Sequence, residues 1–353
     1  MKKLLTLLLC CAFTLSIIAC GTNEDTDNSA LSNSLIQSEV PNDDSGNSGN
    51  SEVVDIGKSS KDYNIVYIAP QASNPYFLTL DAGCQDMAEE LGVTVTYMAP
   101  ATNDMQGQTT VVQAAMASNP DFVIIAPVDS EGMMAVCQEF LDDGIQMITV
   151  DRDFNDPSMR LAFIASDSYL GGVYAADTIN ELLDGEGHVA YLGFTPGISS
   201  IDDRYAGWND ALEEYPGLEL TSEQFESSDI QKLTAKANAM ITADPDLKAI
   251  FAGFTNATIA AATAVKENGL SDDIYVVGFD ASPDEVALLS DGSADALICQ
   301  LVYEMGQLAV QYAVDYLENG TLPPEETHTE YVSITADNMS DPEISRYVYR
   351  SAN

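Results

Sequence analysis

The chain has 353 residues, 46% of them hydrophobic, enough to fill a sizeable core in two domains of ordinary size. With 56 acidic residues against 13 basic ones, its formal net charge of −43 repels nucleic acid, anionic lipid and acidic substrates. The same acidity serves as a well-solvated surface and names no ligand.

The first twenty residues, MKKLLTLLLCCAFTLSIIAC, join two lysines to an apolar run and end on Ile17-Ile18-Ala19-Cys20. Residues 1–19 look like a bacterial secretion signal rather than a membrane span. The small residue before Cys20 resembles a lipoprotein processing box, in which the thiol is acylated and becomes the new N-terminus. Cys20 is therefore the expected membrane anchor. Residues 21–62 hold no aromatic residue and are rich in Ser, Asn, Asp, Glu and Gly, so they cannot bury enough apolar surface to fold. With Cys20 they read as a lipidated tether, whose roughly 40 residues span on the order of 35 Å as flexible coil. The GKSS at 57–60 is no phosphate loop, because Glu52 stands where the pattern needs glycine and no strand precedes it.

Beyond Cys20 the exported chain keeps Cys84, Cys137 and Cys299, which cannot all pair and show no CxxC spacing. Cys84 and Cys137 fall on apolar helix faces and read as small buried hydrophobes. His188 and His328 lie far apart without ligand-like neighbours, so neither a metal nor a cofactor is expected.

From Tyr63 onward, short β-rich runs alternate with helical periodicity. NIVYIA, VTVTYM, DFVIIAP, IQMITVD, HVAYLGF, LKAIFAGF and IYVVGFD read as buried strands, which makes this an α/β protein with parallel sheets. After the first strand, SNPYF (73–77) starts a helix with Asn74 as N-cap and Pro75 as first helical residue. Phe77, Leu80, Cys84, Met87 and Leu91 line one face of it, and Gly92 ends it. Residues 120–151 and 245–280 form a weak repeat: both run Pro-Asp, strand, helix, glycine, strand, and both stop on an aspartate. Two such units predict two similar open twisted lobes with ligand-facing loops at the carboxyl ends of the strands. Asp151 and Asp280 then end matching strands and can close on a small molecule across a cleft.

The segments NPYF (74–77), VDRD (150–153), IASDSYLGG (164–172), DDRYAGW (202–208), VVGFD (276–280) and ICQL (298–301) resemble, in order and spacing, the ribose-binding group of bacterial solute-binding proteins. The resemblance covers about 63–335. It implies the type I periplasmic binding protein fold, hydrogen-bonding roles for Asn74, Asp151, Arg152, Arg204, Asp280 and Gln300, and stacking rings at Tyr76 and Phe77. These groups suit a neutral polyol: carboxylate, amide and guanidinium each address neighbouring hydroxyls, and an aromatic wall takes the apolar face of a sugar ring. Plainer roles exist beside these. Asn74 caps its helix, Phe77 fits the core stripe, Asp151 and Asp280 can cap turns, and Arg152 and Arg204 sit beside acidic neighbours. Trp208 reads as core packing.

The sequence also departs from the ribose binders. Pro70 stands in place of a hydroxyl donor, Ser228 in place of an aromatic ring, and Phe254-Thr255-Asn256 in place of an Asn-Asp pair, as though the ring had moved to Phe254. These changes point away from ribose itself and toward another monosaccharide or small polyol.

The resulting expectation is an extracytoplasmic lipoprotein, not an enzyme, that delivers a sugar to an ABC permease; the alternative is a sugar-sensing subunit for a membrane kinase or chemoreceptor. A glycosidase reading of Asp151 and Asp280 is disfavoured by Arg152, which is expected to keep Asp151 ionised. The expected lobes are 63–165 plus 302–327 and 166–301 plus 328–350, joined by a three-strand hinge. The resemblance further implies a monomer.

Overall fold

The computed structural model describes residues 58–351. The signal segment, Cys20 and nearly all of the tether lie outside the described residues. In chain order, β1 (Asn64–Ile68), α1 (Pro75–Leu91), β2 (Thr94–Met98), α2 (Met105–Ala117), β3 (Phe122–Ile125), α3 (Gly132–Asp142), β4 (Gln146–Val150) and β5 (Ala162–Ser166) come first. Then follow α4 (Ser168–Leu182), β6 (Gly187–Phe194), α5 (Ser199–Glu214), β7 (Leu218–Glu226), α6 (Ile230–Ala243), β8 (Leu247–Ala252), α7 (Thr255–Glu267), β9 (Tyr275–Phe279), α8 (Pro283–Ser290) and β10 (Ala296–Gln300). The chain closes with α9 (Val302–Asn319), β11 (Glu326–Thr329), β12 (Tyr331–Thr335) and α10 (Pro342–Ser345).

These strands build two six-stranded sheets, β2-β1-β3-β4-β5-β11 and β7-β6-β8-β9-β10-β12. The two orders are the same order, with β1 to β5 answering β6 to β10. The fold is thus one α/β unit used twice, and the 120–151 and 245–280 repeat corresponds to β3-α3-β4 and β8-α7-β9. The first sheet is parallel throughout, whereas β12 runs antiparallel to β10 at the edge of the second. Central strands are buried along nearly their whole length because helices cover both faces, which is why they read as unbroken apolar runs. Phe77, Leu80 and Cys84 pack on Tyr67 and Ile124 on one face of the first sheet, while Val66, Phe140 and Met147 fill the other. In the second sheet, Trp208 lies against Phe251, Tyr191 and Phe279 with no exposure. Cys84, Cys137 and Cys299 are free and buried. Among the described residues no helix is long and apolar enough to cross a membrane.

The chain passes between sheets three times: after β5, after β10, and between β11 and β12. As a result α9, which follows a strand of the second sheet, packs on α1, and α4, which follows a strand of the first, packs on α5. Both helix pairs meet through glycine. A Cβ at Gly83 would lie 1.9 Å from the Tyr303 carbonyl oxygen, and one at Gly207 would lie 1.9 Å from that of Tyr169. Gly83 and Gly207 occupy the same position of α1 and α5, counted from the helix start. Backbone contact at these points lets each crossover helix lie close against its partner.

Candidate functional site

In doubly wound sheets of this order, ligands sit beyond the carboxyl ends of the strands, where the chain direction switches. The chain here leaves β1, makes the Ala72–Ser73 turn and enters α1 through Asn74. The Asn74 side-chain oxygen accepts from the Tyr76 backbone N–H at 3.0 Å and so caps the helix, leaving Nδ2 for other partners. Tyr76 and Phe77 follow in edge-to-face contact, ring centres 5.1 Å apart. Phe77 belongs both to the core and to the cavity wall.

Asp151 and Asp280 each follow the last residue of equivalent strands, β4 and β9. Their backbones share an uncommon geometry, left-handed with φ of 63° and 80°. In each, the N–H donates at 2.9 Å to the middle residue of the neighbouring strand, from Asp151 to the Ile164 carbonyl and from Asp280 to that of Ile298. Aspartate tolerates this conformation better than most residues, and holding it aims a side chain off the end of the strand.

A cavity of about 530 Å³ gathers Asn74, Tyr76, Phe77, Asp151, Arg152, Asp280 and Gln300 around one space, a size suited to a small ligand. Arg204 and Phe254, the remaining expected residues, do not line it. Arg204 is buried from α5, with Nη1 donating to the Gly253 carbonyl at 2.7 Å and its guanidinium 3.4 Å from the centre of the Phe279 ring. Its Nε has no partner, an uncommon state for a buried donor. Phe254 meets Phe194 edge-on at 5.4 Å, and its neighbour Thr255 reaches the cavity instead.

Gln300 Nε2 donates to Asp280 Oδ1 at 2.8 Å. Tyr349 Oη donates to the same oxygen, also at 2.8 Å. Tyr349, Gln71, Ser73 and Ser282 line the cavity as well and are not among the expected ligand residues. A second cavity of about 600 Å³ shares Asp151 and Arg152 with the first and extends past Ser166, Asp167 and His328, where the chain changes sheet.

Arg152 leans on Asp151, with Nε 3.4 Å from Oδ2, and lies 5.9 Å from the centre of the Phe77 ring. Asp153 does not neutralise it, because that carboxylate is taken by Arg160 at 2.8 Å and by Thr149 Oγ1 at 2.6 Å. Arg152, expected to keep Asp151 ionised, does favour the charged form, though burial is the larger influence. Burial pushes the Asp151 carboxyl above the usual carboxylate range, and Arg152 and the Tyr76 hydroxyl only partly offset it. Burial, and then the two carboxylates, hold the Tyr76 phenol well above its ordinary range, so the hydroxyl remains a donor. Among the described residues no cluster of His, Cys, Asp and Glu could hold a metal ion.

Known proteins share this fold. The chain is 28% identical over 271 residues to the ribose import binding protein of Bacillus subtilis (strain 168), covering 77% of this chain and 84% of that one. The ribose import binding protein of Escherichia coli (strain K12) is 29% identical over 263 residues, 74% of this chain and 87% of the other. An ABC transporter solute-binding protein from Agrobacterium vitis, solved with α-D-tagatopyranose, superposes with a TM-score of 0.67 at 28% identity, over 82% of this chain and 100% of that one. The periplasmic binding protein domain matches residues 65–321. With two copies of one α/β unit and a polar cavity at the ends of their strands, the chain belongs to the periplasmic binding protein family, whose members bind solutes rather than transform them.

Proposed function

We propose that this protein captures a neutral monosaccharide or small polyol between two lobes, 63–165 plus 302–327 and 166–301 plus 328–350, and delivers it to an ABC permease. One observation carries the reading. Equivalent strands of the two sheets end on aspartates in the same left-handed conformation, and both line one cavity walled by Tyr76 and Phe77. Charged acceptors on two sides with an aromatic wall between them match a polyhydroxylated ring with one apolar face. Relatives whose names specify ribose import, and the neighbour solved with tagatopyranose, support the same class. Arg204, with its unpartnered Nε, and Phe254 join the ligand as the lobes close about the three crossings. Cys20 carries the lipid that keeps the protein, a monomer, beside its permease.

A melting scan against pentoses, hexoses and alditols tests this reading. A ligand bound only by the folded state adds RT ln(1 + [L]/Kd), about 2.7 kcal/mol at a hundredfold excess over Kd. The expected result is a clear upward shift with one neutral sugar or polyol, and a smaller one with ribose, because Pro70, Ser228 and Phe254 alter contacts that ribose binders use. A largest shift with ribose would refute that reading of the three positions; a shift only with an amino acid or nucleoside would refute the sugar assignment.

A further inference from the structure

After β12 the chain turns at Asn338, forms the single turn α10, and comes back through Tyr347–Arg350 to the cavity. Backbone bonds fix this return to both sheet units. Cys299 Sγ donates to the Tyr347 carbonyl at 3.3 Å, and the Tyr349 N–H donates to the Ala281 carbonyl at 2.9 Å, both at strand ends of the second sheet. The next N–H, of Arg350, donates at 2.8 Å to Thr79 Oγ1 on α1, which packs on the first. Between these anchors the Tyr349 ring meets Tyr76 edge-on, centres 5.5 Å apart at 81°. It is 5% exposed, and what it shows faces the cavity.

We propose that Tyr349 is a positioning and specificity-determining residue of the ligand site, carried there by the C-terminal segment. The inference rests on the sugar reading above and deepens it. Asp280 Oδ1 accepts from both Tyr349 Oη and Gln300 Nε2 at 2.8 Å. Two donors on one oxygen fix the rotation of the carboxylate and leave Oδ2 for a ligand hydroxyl. A carboxylate already held in its bound orientation loses less freedom when ligand arrives, and that gain appears as affinity. The ring acts separately from the hydroxyl. It closes the cavity on the side of Asp280 and sets how much ring or exocyclic carbon fits beside that carboxylate. A segment serving only to clamp the chain end would need the two backbone bonds and a ring; a phenylalanine would do. The hydroxyl is directed at the ligand-facing carboxylate instead.

Calorimetric titration of wild type, Y349F and Y349A against pentoses, hexoses, alditols, nucleosides and amino acids tests the assignment, with ligand-free melting as the control for folding. Y349F keeps the ring and is expected to melt close to wild type while binding the best ligand roughly tenfold more weakly. Y349A opens the wall and is expected to move selectivity by about tenfold toward a ligand one carbon larger. Wild-type affinity in Y349F, or an equal loss for every ligand in both variants, overturns the proposal, since a merely structural role moves all ligands together. Wild-type binding of an amino acid or nucleoside and of no sugar contradicts the sugar reading alone; Tyr349 is then judged on that ligand and its larger homologue by the same two comparisons.

Discussion

Asp151 and Asp280 combine an unusual backbone, a shared position and incomplete satisfaction. Replacing either with alanine would strain a left-handed site as well as remove a charge, so asparagine, which also tolerates positive φ, separates the two effects. D151N and D280N are expected to melt near wild type and to lose about tenfold to a hundredfold in calorimetric affinity, as fits roughly 1.5–3 kcal/mol for a charged acceptor. Binding should also depend on pH through Asp151. A hydroxyl that donates to the carboxylate favours its ionised form, and burial holds this carboxyl above the ordinary range. Affinity should therefore fall as the medium is acidified, beginning at a higher pH than for an ordinary carboxylate, with less change in D151N; equal slopes in both proteins would show that another group titrates. Residues such as these stand out in sequence because strand-terminal aspartates and a proline-started helix leave local marks. Tyr349 leaves none: its partner Asp280 is 69 positions away, and only tertiary packing joins them.

Among the elements, α8 carries a group whose effect on stability has a definite sign. Ser282 and Glu285 form a capping box in which Glu285 Oε2 accepts from the Ser282 N–H at 3.0 Å, and Glu285 is fully buried with Oε1 unpartnered. Burial, reinforced by the nearby Asp280 charge, pushes its carboxyl from an ordinary 4.5 up to about 8. With the folded value the higher one, the stability this proton brings is full below pH 4.5 and is lost as pH rises through about 8. E285Q keeps an acceptor for Ser282 without the proton, so its melting temperature should fall less than that of wild type between pH 6 and 9. A parallel fall would place the titration elsewhere. Gly207 gives a second element-level test: a Cβ there meets the α4 backbone, and G207A should cost about 1–3 kcal/mol of unfolding free energy, read by denaturant titration.

Sequence reading reached β1, β2, β3, β4, β6, β8 and β9, whose runs are largely apolar or, in the edge strand β2, β-branched and aromatic. It did not name β5 and β10, whose ends it read only as motif segments, or the edge strands β7, β11 and β12. β7 alternates partly buried and exposed residues along its first half, β11 (ETHT) is polar, and β12 (YVSIT) buries only Tyr331 and Ile334 beside its antiparallel pairing with β10.

At the scale of the whole molecule, duplication explains the most. One strand order used twice places Asp151 and Asp280 at equivalent strand ends, and the exchange of α4 and α9 between the units accounts for two of the three crossings, the third lying between β11 and β12. The repeat was visible in sequence only over 120–151 and 245–280. Its wider extent, including the matched glycines of α1 and α5, emerges from the strand order. The departures at Pro70, Ser228 and Phe254 proved harder to read. Phe254 packs against Phe194 outside the cavity lining, and only the proposed lobe closure would bring it to a ligand. The most direct measurement of the central claim is a crystal structure of the protein grown with the sugar or polyol that most raises its melting temperature. The account predicts that ligand lies between Asp151 and Asp280 with its apolar face against Tyr76 and Phe77, and with Arg204 and Phe254 brought into contact. A ligand seated elsewhere, or one that leaves either aspartate without a bond to it, would contradict the account.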